Sequence, residues 1–191
     1  MEFREVISLL ERLIKTPSIS RDESAVADII WDEFLRLGFQ PQRKGNNVWA
    51  EAWAYDAGKP TILLDAHLDT VKPVAGWVRD PFTPSVEGER LYGLGSNDTG
   101  ASLVSLIATF VRLAQREQPY NLICLASAEE EVTGIGGVRM VLGELPMIDF
   151  AIVGEPTQMH PAVAERGLMV FDCVARGVSG HAARQEGVNA I

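Results

Sequence analysis

The chain has 191 residues, of which 47% are hydrophobic and 23% are charged, and this composition lets a protein bury a core without disulfide staples. Asp and Glu outnumber Lys and Arg by 26 to 17, so the formal net charge is -9. A nucleic-acid-binding protein needs a surplus of basic residues on one face, and the charge therefore argues against that class.

The same sequence argues against a membrane partner and against a disulfide. No apolar stretch approaches the about 20 residues that a membrane helix needs, and the acidic, amphipathic N-terminus is unlike a signal peptide. We therefore expect a cytoplasmic protein. The two cysteines, Cys124 and Cys173, lie inside apolar runs, where free thiols pack as small hydrophobic groups.

Apolar spacing predicts two helices at the start of the chain. The first runs from Val6 to Ile14 and ends at Thr16-Pro17. Next, Ser20-Arg-Asp-Glu23 has the form of a capping box. In such a box Ser20 and Glu23 each satisfy a free backbone N–H group at the start of the second helix. Gly38 ends that helix.

Strands and helices alternate over the following segments. A partly exposed strand is predicted at 47–54, and continuous apolar runs predict buried strands at 61–64, 122–126 and 150–153. Helices are predicted at about 99–116 and 136–142. Such alternation predicts an α/β fold with a mostly parallel sheet sandwiched by helices.

The pattern changes near Gly167, where we expect a second domain to begin. Apolar residues then alternate at Met169, Phe171, Cys173 and Ala175, which predicts a strand with one covered face. A helix is expected to start at about Asn189. We therefore predict one domain over 1–166 and the start of another over 167–191.

Metal-binding residue types follow three of the predicted strands, where ligands bind in open α/β sheets. These are His67-Leu-Asp69, the run Glu129-Glu130-Glu131, and Glu155-Pro156, while Asp98 precedes the long helix. Each has an ordinary alternative. A His-x-Asp at a strand end is often a hydrogen-bonded turn, acids favour helix N-termini, Glu-Pro opens loops, and an Asp can be an N-cap.

The combination favours a metal site. Acids gathered at one rim without counterions cost several kcal/mol each, and divalent cations relieve that cost. Mixed imidazole and carboxylate ligands suit zinc or a neighbouring transition metal better than magnesium. The donors suffice for two ions, which a bridging carboxylate holds about 3.5–4 Å apart.

Several motifs, in order along the chain, resemble those of a dinuclear-zinc exopeptidase family. This family includes acetylornithine deacetylase, succinyl-diaminopimelate desuccinylase, aminoacylase, carnosinase-type dipeptidases and glutamate carboxypeptidase. The motifs are His67-Leu-Asp-Thr-Val-Lys-Pro73, Tyr92-Gly-Leu-Gly-Ser-Asn-Asp98, Ala128-Glu-Glu-Glu131, Val153-Gly-Glu-Pro-Thr157, Gly180-His-Ala-Ala183 and Gly187-Val-Asn-Ala-Ile191.

The resemblance implies two Zn²⁺ ions per active site, for which Co²⁺ can substitute. His67 and Glu155 would bind the first ion, Glu130 the second, and Asp98 both. Asp69 would contact His67 without binding the metal itself. It would thereby orient the His67 ring, set its tautomer and raise its basicity.

The resemblance also implies two residues that act on the substrate. Glu129 would be the general base, which takes a proton from the attacking water and passes it to the leaving amine. His181 would belong to the lid domain and polarise the substrate carbonyl, reaching across a dimer interface. Glu131 is expected to be a neighbouring residue exposed to solvent, with no role in the site.

The function implied is hydrolysis of the amide bond of a small N-acyl amino acid, in the manner of acetylornithine deacetylase, by a homodimer. Alternatives within the family are a succinyl-diaminopimelate desuccinylase and a dipeptidase or carboxypeptidase. An alternative from another class is a catalytically silent metal-binding fragment, because the family's last histidine ligand belongs to a later segment. Residues 1–166 would be the N-terminal part of the catalytic domain, and 167–191 the start of an inserted α+β lid or dimerisation domain.

Overall fold

The computed structural model describes residues 1–164, 166–167, 169, 171, 173–180, 187–188 and 190. The chain divides into two units, Met1–Gln158 and Met159–Ile191. The helices and strands of the described residues all lie in the first unit. None of the described helices is both long and apolar enough to cross a membrane.

In the described part of the chain, four α-helices form close to their predicted positions. They are α1 (Phe3–Lys15), α2 (Ser24–Arg36), α3 (Ala101–Ala114) and the short α4 (Val138–Val141). The amphipathic α1 buries Leu9, Leu10, Leu13 and Ile14 on one face. At its start the Glu2 backbone N–H donates to Glu5 Oε2 at 2.7 Å, which satisfies a donor that the helix leaves free.

The capping box predicted at Ser20 and Glu23 is wrong. Helix α2 begins at Ser24, and the Ser20 hydroxyl donates to the Asp69 carboxylate instead. The Glu23 carboxylate accepts a hydrogen bond from the Arg21 backbone N–H at 2.5 Å. The reason is tertiary, because the segment before α2 pairs with Thr70 through an isolated bridge at Ile19.

The described residues form seven strands, five of them in one sheet with the order β1-β2-β6-β3-β7. Strand β6 lies parallel to β3, and β3 lies parallel to β7, whereas β1 and β2 form an antiparallel hairpin that pairs antiparallel with β6. The α/β fold is therefore confirmed. The strands are β1 (Pro41–Lys44), β2 (Asn47–Glu51), β3 (Thr61–His67), β4 (Ser85–Glu87), β5 (Arg90–Tyr92), β6 (Asn121–Ser127) and β7 (Phe150–Val153).

The remaining two strands, β4 and β5, form a separate hairpin that the sequence did not predict. It follows β3 in the segment that leads to Asp98. The Arg79 guanidinium lies 4.2 Å from the centre of the Tyr92 ring, and it also donates to both carboxylate oxygens of Glu87. These contacts tie the loop to its own hairpin.

Helices cover the two faces of the main sheet unequally. The larger cluster of buried apolar residues includes Leu64 and Ala66 of β3, Phe34 of α2, and Ile107 and Phe110 of α3. The smaller cluster lies on the opposite face and consists of Trp49, Leu63, Ile123, Leu125, Val141 and Leu145. This packing holds the carboxyl ends of β3 and β6 in a rigid frame.

Two burial predictions are wrong. Strand β7 has the predicted bounds, but Phe150, Ile152 and Val153 are 59%, 45% and 58% exposed. Among the described strands β7 pairs with β3 alone, so it forms the edge of the sheet. Cys173 is exposed, whereas Cys124 is buried as expected.

The second unit has little regular structure in its described residues. Val178 and Val188 form an isolated antiparallel bridge. The described residues between 167 and 177 form no strand, and the helix start predicted at Asn189 lies outside the described residues. The domain boundary between 166 and 167 stays a prediction.

Candidate metal centre

The parallel strands bring three of the candidate segments to one edge of the sheet. His67 is the last residue of β3, the run Glu129–Glu131 follows β6, and Glu155 follows β7. In the register of the sheet, His67 lies opposite Ser127 at the end of β6. Asp98 approaches the same edge from the irregular turn Ser96–Gly100, which leads into α3.

His67 presents one ring nitrogen to this edge. The ring is buried, and its Nδ1 lies 2.9 Å from the backbone carbonyl oxygen of Asp69. A carbonyl only accepts hydrogen bonds, so Nδ1 carries the hydrogen, and in the neutral ring Nε2 is left as the acceptor. Nε2 lies 3.0 Å from Asp98 Oδ1 and 3.9 Å from Glu155 Oε1.

Two groups of potential ligands share His67. One consists of His67, Asp98 and Glu131, and the other of His67, Glu130 and Glu155, with ligand atoms within 4.8 Å of one another in each group. Four of the residues predicted to bind metal therefore lie together. Glu131, which sequence reasoning set aside, lies with them.

The charges in this cluster are unbalanced. Burial and repulsion from Asp98 raise the pKa of Glu131. Burial also raises the pKa of Glu155, and the nearby Glu130 and Asp98 carboxylates raise it further. Burial lowers the pKa of His67, but its hydrogen bond and charge contact with Asp69 and its hydrogen bond with Asp98 raise it to about 9. Every one of these shifts favours the state with more positive charge.

The donor set fits a divalent cation. Among the described residues, no Lys or Arg forms an ion pair with Asp98, Glu130, Glu131 or Glu155. The Nε2 atom of His67 and several carboxylate oxygens converge there, and this mixture suits a borderline transition metal better than Mg²⁺ or Ca²⁺.

The Asp69 carboxylate has more partners than the sequence indicated. Its Oδ1 lies 3.5 Å from His67 Nδ1, so the ring is held mainly by the Asp69 carbonyl. Oδ1 accepts the backbone N–H of Glu130 at 3.0 Å, and Oδ2 accepts that of Glu131 at 3.3 Å. The Ser20 hydroxyl donates to Oδ2 at 2.7 Å. Asp69 thus joins the end of β3 to the turn after β6.

Glu129 differs from the two glutamates that follow it. Its backbone has a left-handed φ of 54°, and its Oε2 accepts the Gly136 backbone N–H at 3.2 Å. A Cβ atom on Gly134 would lie 1.8 Å from the same oxygen. Glu129 therefore packs on its own loop. It belongs to neither of the two ligand groups found among the described residues.

No feature of the sequence indicates which of the three glutamate side chains points toward His67. A short helical turn, Glu130–Val132, begins after Glu129, and successive side chains in such a turn point about 120° apart. Only the position of that turn decides which carboxylate faces His67. His181, predicted to polarise the substrate carbonyl, lies outside the described residues.

Comparison with known proteins gives a family match. The model of Peptidase family M20/M25/M40 matches residues 63–168, which is more than half of the chain. Its match includes His67, Asp98, the three glutamates and Glu155.

Curated relatives of two kinds match nearly the whole chain. An acetylornithine deacetylase from Edwardsiella ictaluri is 33% identical over 97% of this chain and 52% of its own length. A succinyl-diaminopimelate desuccinylase from Acidovorax ebreus is 29% identical over 92% of this chain and 51% of its own length. The chain spans about half the length of the curated relatives it matches.

Solved structures give the same fold. An M20 family metallo-carboxypeptidase from Sulfolobus solfataricus matches with a TM-score of 0.64 and 26% identity, over 81% of this chain and 37% of that one. A dinuclear metal-binding peptidase of the M20 family from Bacillus subtilis matches with a TM-score of 0.61 and 21% identity, over 78% of this chain and 42% of that one.

Proposed function

This chain belongs to peptidase family M20/M25/M40, and from that premise we propose that it forms the metal-binding part of a hydrolase that cleaves the amide bond of a small N-acyl amino acid. The observation that carries the proposal is the convergence of His67 Nε2 with carboxylates at the carboxyl ends of three parallel strands. Acetylornithine deacetylase activity is our first candidate, because such a relative is 33% identical.

We propose that the site holds two Zn²⁺ ions, with Co²⁺ as a substitute. Asp98 and Glu131 share one group of potential ligands with His67, and Glu155 belongs to the other group. Metal ions bound by these residues supply a Lewis acid that polarises an amide carbonyl and makes water more acidic near neutral pH. The Nδ1–H bond to the Asp69 carbonyl keeps His67 in the tautomer whose Nε2 can bind.

A carboxylate must move the proton during the reaction. It accepts a proton from the attacking water as the new C–O bond forms, and it delivers the proton to the leaving nitrogen as the C–N bond breaks. The family resemblance assigns this role to Glu129. The geometry supports Glu130, because Asp69 fixes its backbone N–H and its carboxylate lies with His67 and Glu155. We propose Glu130, with Glu129 as the alternative.

Three matched variants of the full-length protein separate these assignments: Glu129→Gln, Glu130→Gln and Glu131→Gln. Bound zinc and turnover are measured for each. We expect Glu130→Gln to keep its zinc and lose about 10²–10⁴-fold in kcat, whereas Glu131→Gln loses zinc as well. If Glu129→Gln keeps its zinc and loses turnover to that extent, Glu129 is the proton carrier.

The substrate is tested by product release from N-acetylornithine, N-succinyl-diaminopimelate and a dipeptide, with and without added Zn²⁺ or Co²⁺. We expect release from N-acetylornithine, dependent on metal. Release from the succinylated compound or the dipeptide alone would favour the other candidates of the family. If the zinc-loaded protein releases nothing from any of them, the hydrolase proposal fails.

The protein is expected to act in the cytoplasm, to form a homodimer, and to use His181 on the substrate carbonyl. All three derive from the composition or from the family resemblance.

A further inference from the structure

We propose that Ser20 is a positioning residue of the metal site: its hydroxyl holds the Asp69 carboxylate, which in turn fixes the backbone of Glu130 and Glu131. The inference rests on the proposed function, since it assigns those two glutamates to the metal and to the proton. Ser20 lies outside all of the motifs that carry the family resemblance.

Backbone pairing brings Ser20 to Asp69. The Thr70 N–H donates to the Ser18 carbonyl at 2.8 Å, and the Ser20 N–H donates to the Thr70 carbonyl at 3.2 Å. The segment before α2 therefore lies alongside the chain that leaves β3. This places the Ser20 hydroxyl 2.7 Å from Asp69 Oδ2, a short distance typical of a bond to a charged acceptor.

The Asp69 carboxylate depends on this bond because it is buried. The residue is 1% exposed, so a lone pair that loses its donor has no access to bulk water. The remaining partner of Oδ2 is the Glu131 N–H at the longer distance of 3.3 Å. Without the Ser20 hydroxyl, Oδ2 keeps only this longer bond, so the carboxylate holds the two glutamate amides less firmly.

The Ser20 turn is itself held from the opposite side. Arg21 has a left-handed φ of 78°, and its N–H donates to the carboxylate of Glu23, a fully buried residue. The Asn46 side chain, in the turn between β1 and β2, donates to the other Glu23 oxygen at 2.8 Å. The hydroxyl is therefore presented to Asp69 by a turn with a fixed backbone.

The consequence is a relay of hydrogen bonds from the first loop of the chain to the cluster. Ser20 and Asp69 are 49 residues apart, and Asp69 and Glu130 are 61 apart. Since adjacent side chains in the glutamate turn point in different directions, a small rotation of that turn displaces both carboxylates relative to His67.

The test compares Ser20→Ala, Ser20→Thr and the matched control Ser18→Ala. Ser18 is buried in the same segment, and its carbonyl rather than its side chain holds Thr70. Zinc affinity is measured by calorimetric titration of the metal-stripped, full-length protein, and kcat and KM are measured at saturating zinc.

We expect Ser20→Ala to weaken zinc binding by about 10–100-fold and to lower kcat with little change in KM. Ser20→Thr keeps a hydroxyl and is expected to restore both, while Ser18→Ala binds zinc like the wild type. Wild-type zinc affinity and kcat in Ser20→Ala overturn the proposal. A loss of stability in Ser20→Ala with unchanged zinc affinity also overturns it, because the bond would then serve only the fold.

Hydrogen exchange at the Glu130 and Glu131 amides of the metal-free protein tests the relay without zinc or substrate. We expect faster exchange of both amides in Ser20→Ala, and unchanged exchange contradicts the proposal. If the wild type binds zinc but hydrolyses nothing, the proposed function fails while the zinc and exchange results still decide the role of Ser20.

Discussion

At the scale of single residues, Asp65 is a carboxylate buried in the core. It lies in β3 and is 8% exposed, and its Oδ1 has no hydrogen-bond partner among the described residues. Burial raises the pKa of Asp65 to about 6, although a hydrogen bond from Ser127 and the nearby His67 oppose the shift. The folded state therefore binds a proton at Asp65 more tightly than the unfolded chain does.

This raised pKa predicts a pH-dependent effect of Asp65→Asn on the metal-free protein. The proton favours the folded wild type below pH 4, and this stabilisation is lost as the pH rises from about 4 to about 6. The variant should therefore gain up to about 3 kcal/mol in unfolding free energy relative to the wild type over that interval. Denaturant unfolding in EDTA from pH 4 to 8 measures it, and a difference independent of pH contradicts the prediction.

Among the elements, α1 and α2 are joined by a buried carboxylate. The Glu33 side chain is 3% exposed and accepts hydrogen bonds from Arg12 at 3.0 Å and from Arg36 at 2.6 Å. Arg12 lies on α1, while Glu33 and Arg36 lie on α2. The ion pairs therefore fix how the two helices pack, and α1 in turn contributes Leu10 and Ile14 to the core beneath the site.

Removing the charge of Glu33 should weaken this packing. We expect Glu33→Gln to lower the free energy of unfolding by about 1–3 kcal/mol, because the neutral amide weakens the charge-assisted bonds from Arg12 and Arg36 and turns an NH2 group toward an arginine donor. The matched control is Glu87→Gln, in which a surface carboxylate loses its bonds to Arg79 with little effect on stability. Equal effects in urea denaturation would show that burial of Glu33 contributes nothing.

At the level of the whole molecule, the candidate metal site gathers part of the protein's excess negative charge. Asp98, Glu130, Glu131 and Glu155 are four of the 26 acidic residues, and their repulsion destabilises the folded state. The strands and turns that carry them are held by the core and by Asp69. A bound cation is therefore expected to stabilise the fold.

Metal removal should lower the melting temperature. Zinc at 100 times its Kd stabilises the folded state by about 2.7 kcal/mol, which is about 5–10 °C for a protein of this size. Thermal unfolding with zinc and with EDTA measures the shift. His67→Ala should abolish it, whereas His160→Ala, at an exposed position, should retain it. An equal shift in both variants would mean that zinc binds elsewhere.

The sequence predicted most of the helices and strands of the first unit, and it predicted that His67, Asp98 and Glu155 would meet. These predictions succeed because apolar periodicity is local, and because parallel strands necessarily bring their carboxyl ends to one edge. The burial of β7 was mispredicted for a related reason. An apolar run indicates a strand that can be covered on both faces, but it carries no information on whether another element covers it.

The order of elements and the chemistry of the candidate metal ligands were thus determined by the sequence itself. Only the tertiary structure decided that Glu131 lies near His67 and that Glu129 packs on its own loop. It also decided that the Ser20 hydroxyl donates to Asp69 and does not cap a helix. The physical reason is that the direction of a side chain in a turn depends on the backbone that anchors the turn. Here that anchor is formed by hydrogen bonds between residues 49 and 61 positions apart.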